Sequence, residues 1–228
     1  MNDIISFPSP NYNNRPLGTD IDILVLHYTG MPETAQALER MCNPTTEVSA
    51  HYLIDIDGKI LKLISETKRA WHAGISSWRG DCNINDRSIG IELANPGHEF
   101  GYREFSTPQI DSLIKVAKEI ITRRPIPARN IIGHSDISPT RKKDPGEFFD
   151  WYKLALEGIG HWPETPSKKN IKQVNESNYE LALQAYGYET SDLSATILAF
   201  QRHFLPSRCD GLPDQELFNM LEILINSI

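Results

Sequence analysis

The sequence predicts an α/β fold, a mixed β-sheet flanked by helices, followed by a small all-α unit of three helices. Three observations carry this. Short apolar runs rich in Ile, Leu and Val alternate with stretches of helical period up to about residue 160. The run GHWPETPSKKNIKQVNESN, Gly160 to Asn178, is polar, holds Pro163 and Pro166 and has no apolar period, which is the signature of a linker. Beyond it only helical stripes occur. The expected organisation is a first unit over 1–160, a linker over 161–177 and a helical unit over 178–228.

DILVLH, Asp22 to His27, is a continuous apolar run ending in His, suited to a central strand buried on both faces. A helix is expected over Glu33 to Cys42. In HYLIDIDGKILKLI, His51 to Ile64, Asp57-Gly58 separates two apolar stretches and reads as a hairpin turn. SIGIELA, Ser88 to Ala94, reads as a further strand. A helix follows over Thr107 to Arg124, with Thr107 as N-cap, Pro108 at N1 and Pro125 as the stop. NIIGH, Asn130 to His134, is a short strand that again ends in His, and a helix from about Glu147 to Glu157 stops at Gly158.

The tail holds three apolar stripes. Tyr179, Ala182, Leu183 and Tyr186 form the first, and Leu193, Ile197, Phe200 and Phe204 the second, with Ser191 as N-cap. Leu217, Met220, Leu221, Leu224, Ile225 and Ile228 form the third. A unit this small is expected to lean on the first for stability.

Composition narrows the function. The chain is 39% hydrophobic and 23% charged, ordinary for a globular protein, and its net charge of -7 gives no electrostatic footprint for nucleic acid. No run approaches the ~18 apolar residues of a transmembrane helix. MNDIISFPSPNYNNRP has neither a basic n-region nor a long apolar h-region, so it does not read as a secretory signal. Cys42, Cys82 and Cys209 follow no CxxC pattern and read as free buried thiols outside any metal site.

Four polar residues stand out. His27 and His134 each end a strand, and strand ends of such sheets are where ligands gather. Asp144 lies ten residues after His134, far enough to loop back toward it. Two His and one carboxylate form a catalytic zinc set with a fourth position left open, although HExxH and Cys pairs are absent. Glu92 sits inside an apolar strand, where a carboxylate has to be paired, liganded or catalytic because burying it alone is costly. His51, His98, His161 and His203 read as structural, and His72 as either cleft lining or structural. Asp136 reads as a local turn bond within HSDISP, and Arg141-Lys142-Lys143 as a solvated patch.

Taken in order, NYNNRP, VLHYTG, SAHYLIDIDGKI, AWHAG with SSWRG, SIGIELANPG and IIGHSDISPTRKKDPG resemble the type-2 zinc N-acetylmuramoyl-L-alanine amidases, whose fold peptidoglycan recognition proteins share. The resemblance covers roughly Asn11 to Trp151. LALQAYGYE, ILAFQRHFLP and DGLPDQEL look like the three-helix peptidoglycan-binding module, except that DGLPDQE lacks the second Gly and the Thr of the DG-x-x-G-x-x-T form. The two modules in this order are most similar to the AmiD-like group of that family.

The resemblance implies roles. His27, His134 and Asp144 match the family's Zn2+ ligands, Glu92 the general base and Lys142 the residue that stabilises the oxyanion. It implies a peptidoglycan or muropeptide substrate, cut at the amide between N-acetylmuramic or anhydro-muramic acid and L-alanine, with a zinc-bound water as nucleophile. A non-catalytic peptidoglycan-recognition protein and a zinc hydrolase of another amide are the alternatives, and the complete ligand set argues against the first. The tail is expected to add affinity for polymer, so that removing everything from Ser167 onward spares turnover of small fragments. The substrate class points to the cell envelope or periplasm; a cytoplasmic enzyme recycling wall fragments fits the N-terminus equally.

Overall fold

The computed structural model describes residues 4–163 and 176–228. In chain order the strands and helices are β1 (Ile5–Ser6), β2 (Tyr12–Asn14), β3 (Ile23–Tyr28), α1 (Thr34–Cys42), β4 (Tyr52–Ile54), β5 (Ile60–Lys62), β6 (Lys68–Ala70), β7 (Ser77–Trp78), β8 (Asp81–Cys82) and β9 (Ser88–Leu93). They continue as α2 (Gly97–Phe100), α3 (Thr107–Arg123), β10 (Ile131–Gly133), α4 (His134–Ile137), α5 (Trp151–Leu156), α6 (Glu176–Tyr186), α7 (Leu193–Phe204) and α8 (Gln215–Asn226). The main sheet runs β1-β5-β4-β9-β3-β10. It is mixed: β4 and β5 are the antiparallel hairpin expected around Asp57-Gly58, while β4, β9, β3 and β10 are parallel.

Alternation along the strands decides what each face meets. Leu24 and Leu26 of β3 and Ile89, Ile91 and Leu93 of β9 face α3 and α5 in one apolar cluster. The opposite face carries Ile23, Val25 and His27 on β3, paired in register with Ser88, Gly90 and Glu92 on β9. Its apolar part turns to the tail: Ile23, Val25 and Ile132 share a cluster with Leu183, Tyr188 and Phe200. A smaller cluster lies under α1, around Ala37, Met41 and Leu53. His27 and Glu92 emerge between these two apolar blocks.

NYNNRP is a staple. The buried Asn11 donates through Nδ2 to Met41 O, Asn43 O and Val48 O, and Arg15 to the carbonyls of Glu66, Asn85, Asp86 and Ser88.

Several local expectations are corrected. Ser106, not Thr107, caps α3; its Oγ accepts from Gln109 N, which moves Pro108 from N1 to the second helical position. α5 starts at Trp151, because Gly146 has φ 86 and Asp150 caps the helix by accepting from Lys153 N. Asp192 rather than Ser191 caps α7. Ile228 is 51% exposed and outside the third stripe. None of the three free thiols is buried; Cys82 is exposed, and Cys42 and Cys209 are half-buried. The linker expected over 161–177 falls mostly outside the described residues. The three tail helices do lean on the sheet: they share its core, and Arg79 N donates to Gly187 O at 2.8 Å.

Candidate metal centre and active-site cleft

His27 is the penultimate residue of β3, and His134 is the first residue after β10, so parallel neighbours deliver both imidazoles to the same end of the sheet. The loop after His134 folds back through Arg141 N and Lys142 N to Ser138 O, and Ser135 N donates to Asp144 O at 2.9 Å. That closure brings Asp144 beside His134. His27 Nδ1, His134 Nδ1 and Asp144 Oδ2 then form a triangle with sides of 2.9, 3.1 and 3.0 Å. All three side chains are buried, and among the described residues they are the one group of this kind able to hold a metal.

Bonds of about 2.0–2.1 Å in a tetrahedron put donor atoms about 3.3 Å apart, so these distances fit zinc after a small expansion. Two imidazoles and a carboxylate also suit zinc chemically. The other ring nitrogens are committed in the sense ligation requires. His134 Nε2 lies 3.0 Å from Ala73 O, where it donates, leaving the Nδ1 lone pair free. His27 Nε2 lies 3.0 Å from His72 Nδ1, and His72 Nε2 lies 3.1 Å from Ser88 Oγ, so His27 donates to His72 and His72 to the serine.

AWHAG therefore braces both histidines, His27 through the His72 ring and His134 through the Ala73 carbonyl. Asn85 Oδ1 holds the brace by accepting from the backbone N–H groups of His72 and Ala73. Gly90 makes room for it, since a Cβ there would lie 2.5 Å from the His72 ring. His72 is thus both structural and a cleft-lining residue. Arg141 is not mere decoration: its Nη2 donates to Ala73 O and Ile75 O, both at 2.8 Å. Lys143 keeps the solvated reading.

Glu92 is the direct cross-strand partner of His27. Among the described residues its Oε2 is buried with no hydrogen-bond partner. Burial, then the nearby Asp144, holds this carboxyl well above the usual range, and Lys142 draws it back only in part. Asp144 goes the other way: burial alone would raise it, but His134 and His27 outweigh that and keep it ionised. Glu92, His134, Lys142 and Asp144 line a cleft of about 970 Å³, together with Tyr28 and His98. His98, expected to be structural, is held at this wall by Tyr28 Oη and Glu147.

Burial sets a pH dependence. It pushes His27 down to about 4, with help from His134, and His51 down to about 3, with help from Arg15. The unfolded chain takes up these protons near pH 6.5, the folded chain only below pH 4, so stability present above pH 6.5 is lost on acidification through that window. Between pH 7 and pH 5 the metal-free protein is expected to lose on the order of 2 kcal/mol for each of the two histidines. Urea unfolding at the two pH values measures this, and equal stabilities would contradict it.

Residues 17–147 match the N-acetylmuramoyl-L-alanine amidase family. The N-acetylmuramoyl-L-alanine amidase AmiD of Escherichia coli is 36% identical over 90% of this chain and 82% of its own length. The 1,6-anhydro-N-acetylmuramyl-L-alanine amidase AmpD of Haemophilus influenzae is 35% identical over 66% of this chain and 90% of its own. Among solved structures, the E. coli AmiD complex with anhydro-N-acetylmuramic acid-L-Ala-D-γ-Glu-L-Lys superposes with a TM-score of 0.83 at 34% identity, covering 94% of this chain and 93% of that one. AmpDh3 of Pseudomonas aeruginosa, in complex with anhydromuramic pentapeptide, gives 0.82 at 32% identity, with 93% and 94% covered.

Proposed function

The chain belongs to the N-acetylmuramoyl-L-alanine amidase family, and on that premise we propose that His27, His134 and Asp144 hold a zinc ion at which it hydrolyses the amide between a muramic acid lactyl group and L-alanine. The single observation that carries the metal assignment is the 2.9–3.1 Å triangle of ligand atoms, with both outer imidazole nitrogens already committed. Relatives caught with anhydro-muramyl peptides support soluble anhydro-muropeptides as substrates. The substrate class of these amidases is the support for a cell-envelope place of work, with a cytoplasmic enzyme of fragment recycling as the alternative.

When bound, zinc supplies Lewis acidity toward the scissile carbonyl and brings a water toward ionisation near pH 7. The remaining work falls to this chain's residues. Glu92 takes the proton of the attacking water and hands it to the departing alanine nitrogen. Its raised proton affinity, caused by burial and the nearby Asp144, makes Glu92 a stronger base toward the water proton than an ordinary carboxylate. Lys142, on the same cleft wall, places a cation where the oxyanion develops. The brace from His72 and Ala73 keeps both imidazoles in the tautomer that leaves Nδ1 free.

Digestion of purified muropeptides with and without a chelator tests this reading. Stem peptides with a free L-alanine amine are expected only without chelator; their absence from the zinc-loaded digest would overturn it. For Lys142→Ala, kcat is expected to fall about 10²–10³-fold while KM changes little. A variant with unaltered kcat would remove Lys142 from the oxyanion.

A further inference from the structure

Asp136 was expected to make only a local turn bond, and it does make one: Oδ2 accepts from Gly133 N at 2.7 Å. That bond shapes the junction at which β10 ends and His134 begins α4. Two further donors come from the tail. His203 Nδ1, on α7, lies 2.8 Å from the same oxygen, and Tyr188 Oη donates to Oδ1 at 2.7 Å. Asp136 is 1% exposed, Tyr188 3% and His203 4%. α4 packs directly on α7. The His203 ring is itself fixed by stacking on Trp151, with ring centroids 3.8 Å apart.

We propose that the C-terminal helices are part of the support of the metal centre: His203 and Tyr188 clamp Asp136, and Asp136 holds the turn that aims His134. This rests on the zinc amidase reading above.

Three observations carry the proposal. A buried carboxylate is costly unless its lone pairs are filled, and both oxygens of Asp136 are filled only with the tail in place. The clamp is two residues from the proposed ligand His134, within the single turn of α4, so a shift of Asp136 is passed to His134 through that turn. Stability alone does not call for such a cluster, since well-packed apolar residues of the same volume generally serve as well or better. Holding an orientation does call for it. The clamp argues against the expectation that everything beyond Ser167 can be removed with turnover spared.

The test is zinc affinity, by chelator competition on the full chain, for Tyr188→Phe, His203→Ala and His203→Asn. Leu221→Ala, in the tail core on α8 and far from Asp136 in the chain, is the stability control. Tyr188→Phe and His203→Ala are expected to bind zinc roughly 10–100-fold more weakly. Their kcat on a soluble muramyl peptide should fall with it while KM stays within about twofold. His203→Asn, whose amide can donate from near the Nδ1 position, should recover most of the loss. Leu221→Ala should lower the melting temperature and leave zinc affinity within about twofold. Wild-type affinity in folded Tyr188→Phe and His203→Ala would overturn the clamp, as would an equal loss in Leu221→Ala. If His203→Ala fails to fold, Tyr188→Phe decides alone, because it removes a single hydroxyl. A wild-type chain that takes up no zinc would instead sink the amidase reading, leaving these contacts as packing only.

Discussion

Glu92→Gln is expected to keep stoichiometric zinc and lose about 10²–10⁴-fold in kcat. Gln preserves the shape of the side chain and its place opposite His27, but it can no longer accept a proton. The same substitution carries a signature in stability. Burial raises the Glu92 carboxyl, so the folded metal-free protein resists ionising it while the unfolded chain ionises near pH 4.3. The penalty is absent below that pH and grows as pH rises toward the folded-state value, at about 1.4 kcal/mol for each unit of difference. Metal-free Glu92→Gln should therefore be more stable than the parent at pH 7–8 and equal to it near pH 4. Activity within about threefold of the parent would take the proton transfer away from Glu92. A variant less stable than the parent at pH 8 would contradict its burial as a strained carboxylate.

The second large effect is expected for His134→Ala, which should abolish stoichiometric zinc by elemental analysis and lower activity by at least about 10²–10³-fold. The loss should not come from general unfolding. Ala73 O gives up its bond from His134 Nε2 but keeps the one from Arg141 Nη2, so no buried carbonyl is orphaned. Asp144 loses one of two neighbours that favour its charge, and retains His27. The melting temperature of the metal-free variant should stay within several degrees of the parent. A full complement of zinc in this variant would remove His134 from the ligand set.

Legibility from the sequence divides along a physical line. The strand ending at His27, the hairpin at Asp57-Gly58 and the strand holding Glu92 were all readable, because alternation and turn chemistry are local. Caps misled by one residue at Thr107 and Ser191. Ser, Thr and Asp are interchangeable as acceptors in sequence, and only the backbone path picks Ser106 and Asp192. The ligand candidates His27, His134 and Asp144 could be nominated by residue type and strand-end position, and the structure does bring them together. Their supports could not. In sequence His72 fits two readings, Arg141 reads as solvated and Asp136 as a turn residue, because their partners come from distant segments.

The reason is that a ligand is marked by what it is, whereas a support is marked only by what it meets. An apolar run ending in His, or a Glu inside one, is anomalous by itself and announces chemistry. His203 on an amphipathic helix and Tyr188 after Gly187 are unremarkable until α7 packs on α4 and delivers both to Asp136. By itself, then, the sequence determined the central strands β3, β4, β5, β9 and β10, the three tail helices and the identity of the chemical groups. Tertiary structure alone decided which nitrogen of each histidine is free, that Glu92 has a raised carboxyl, and that the tail shares a core with the sheet. Those depend on register and burial across segments far apart in the chain, which no local pattern encodes.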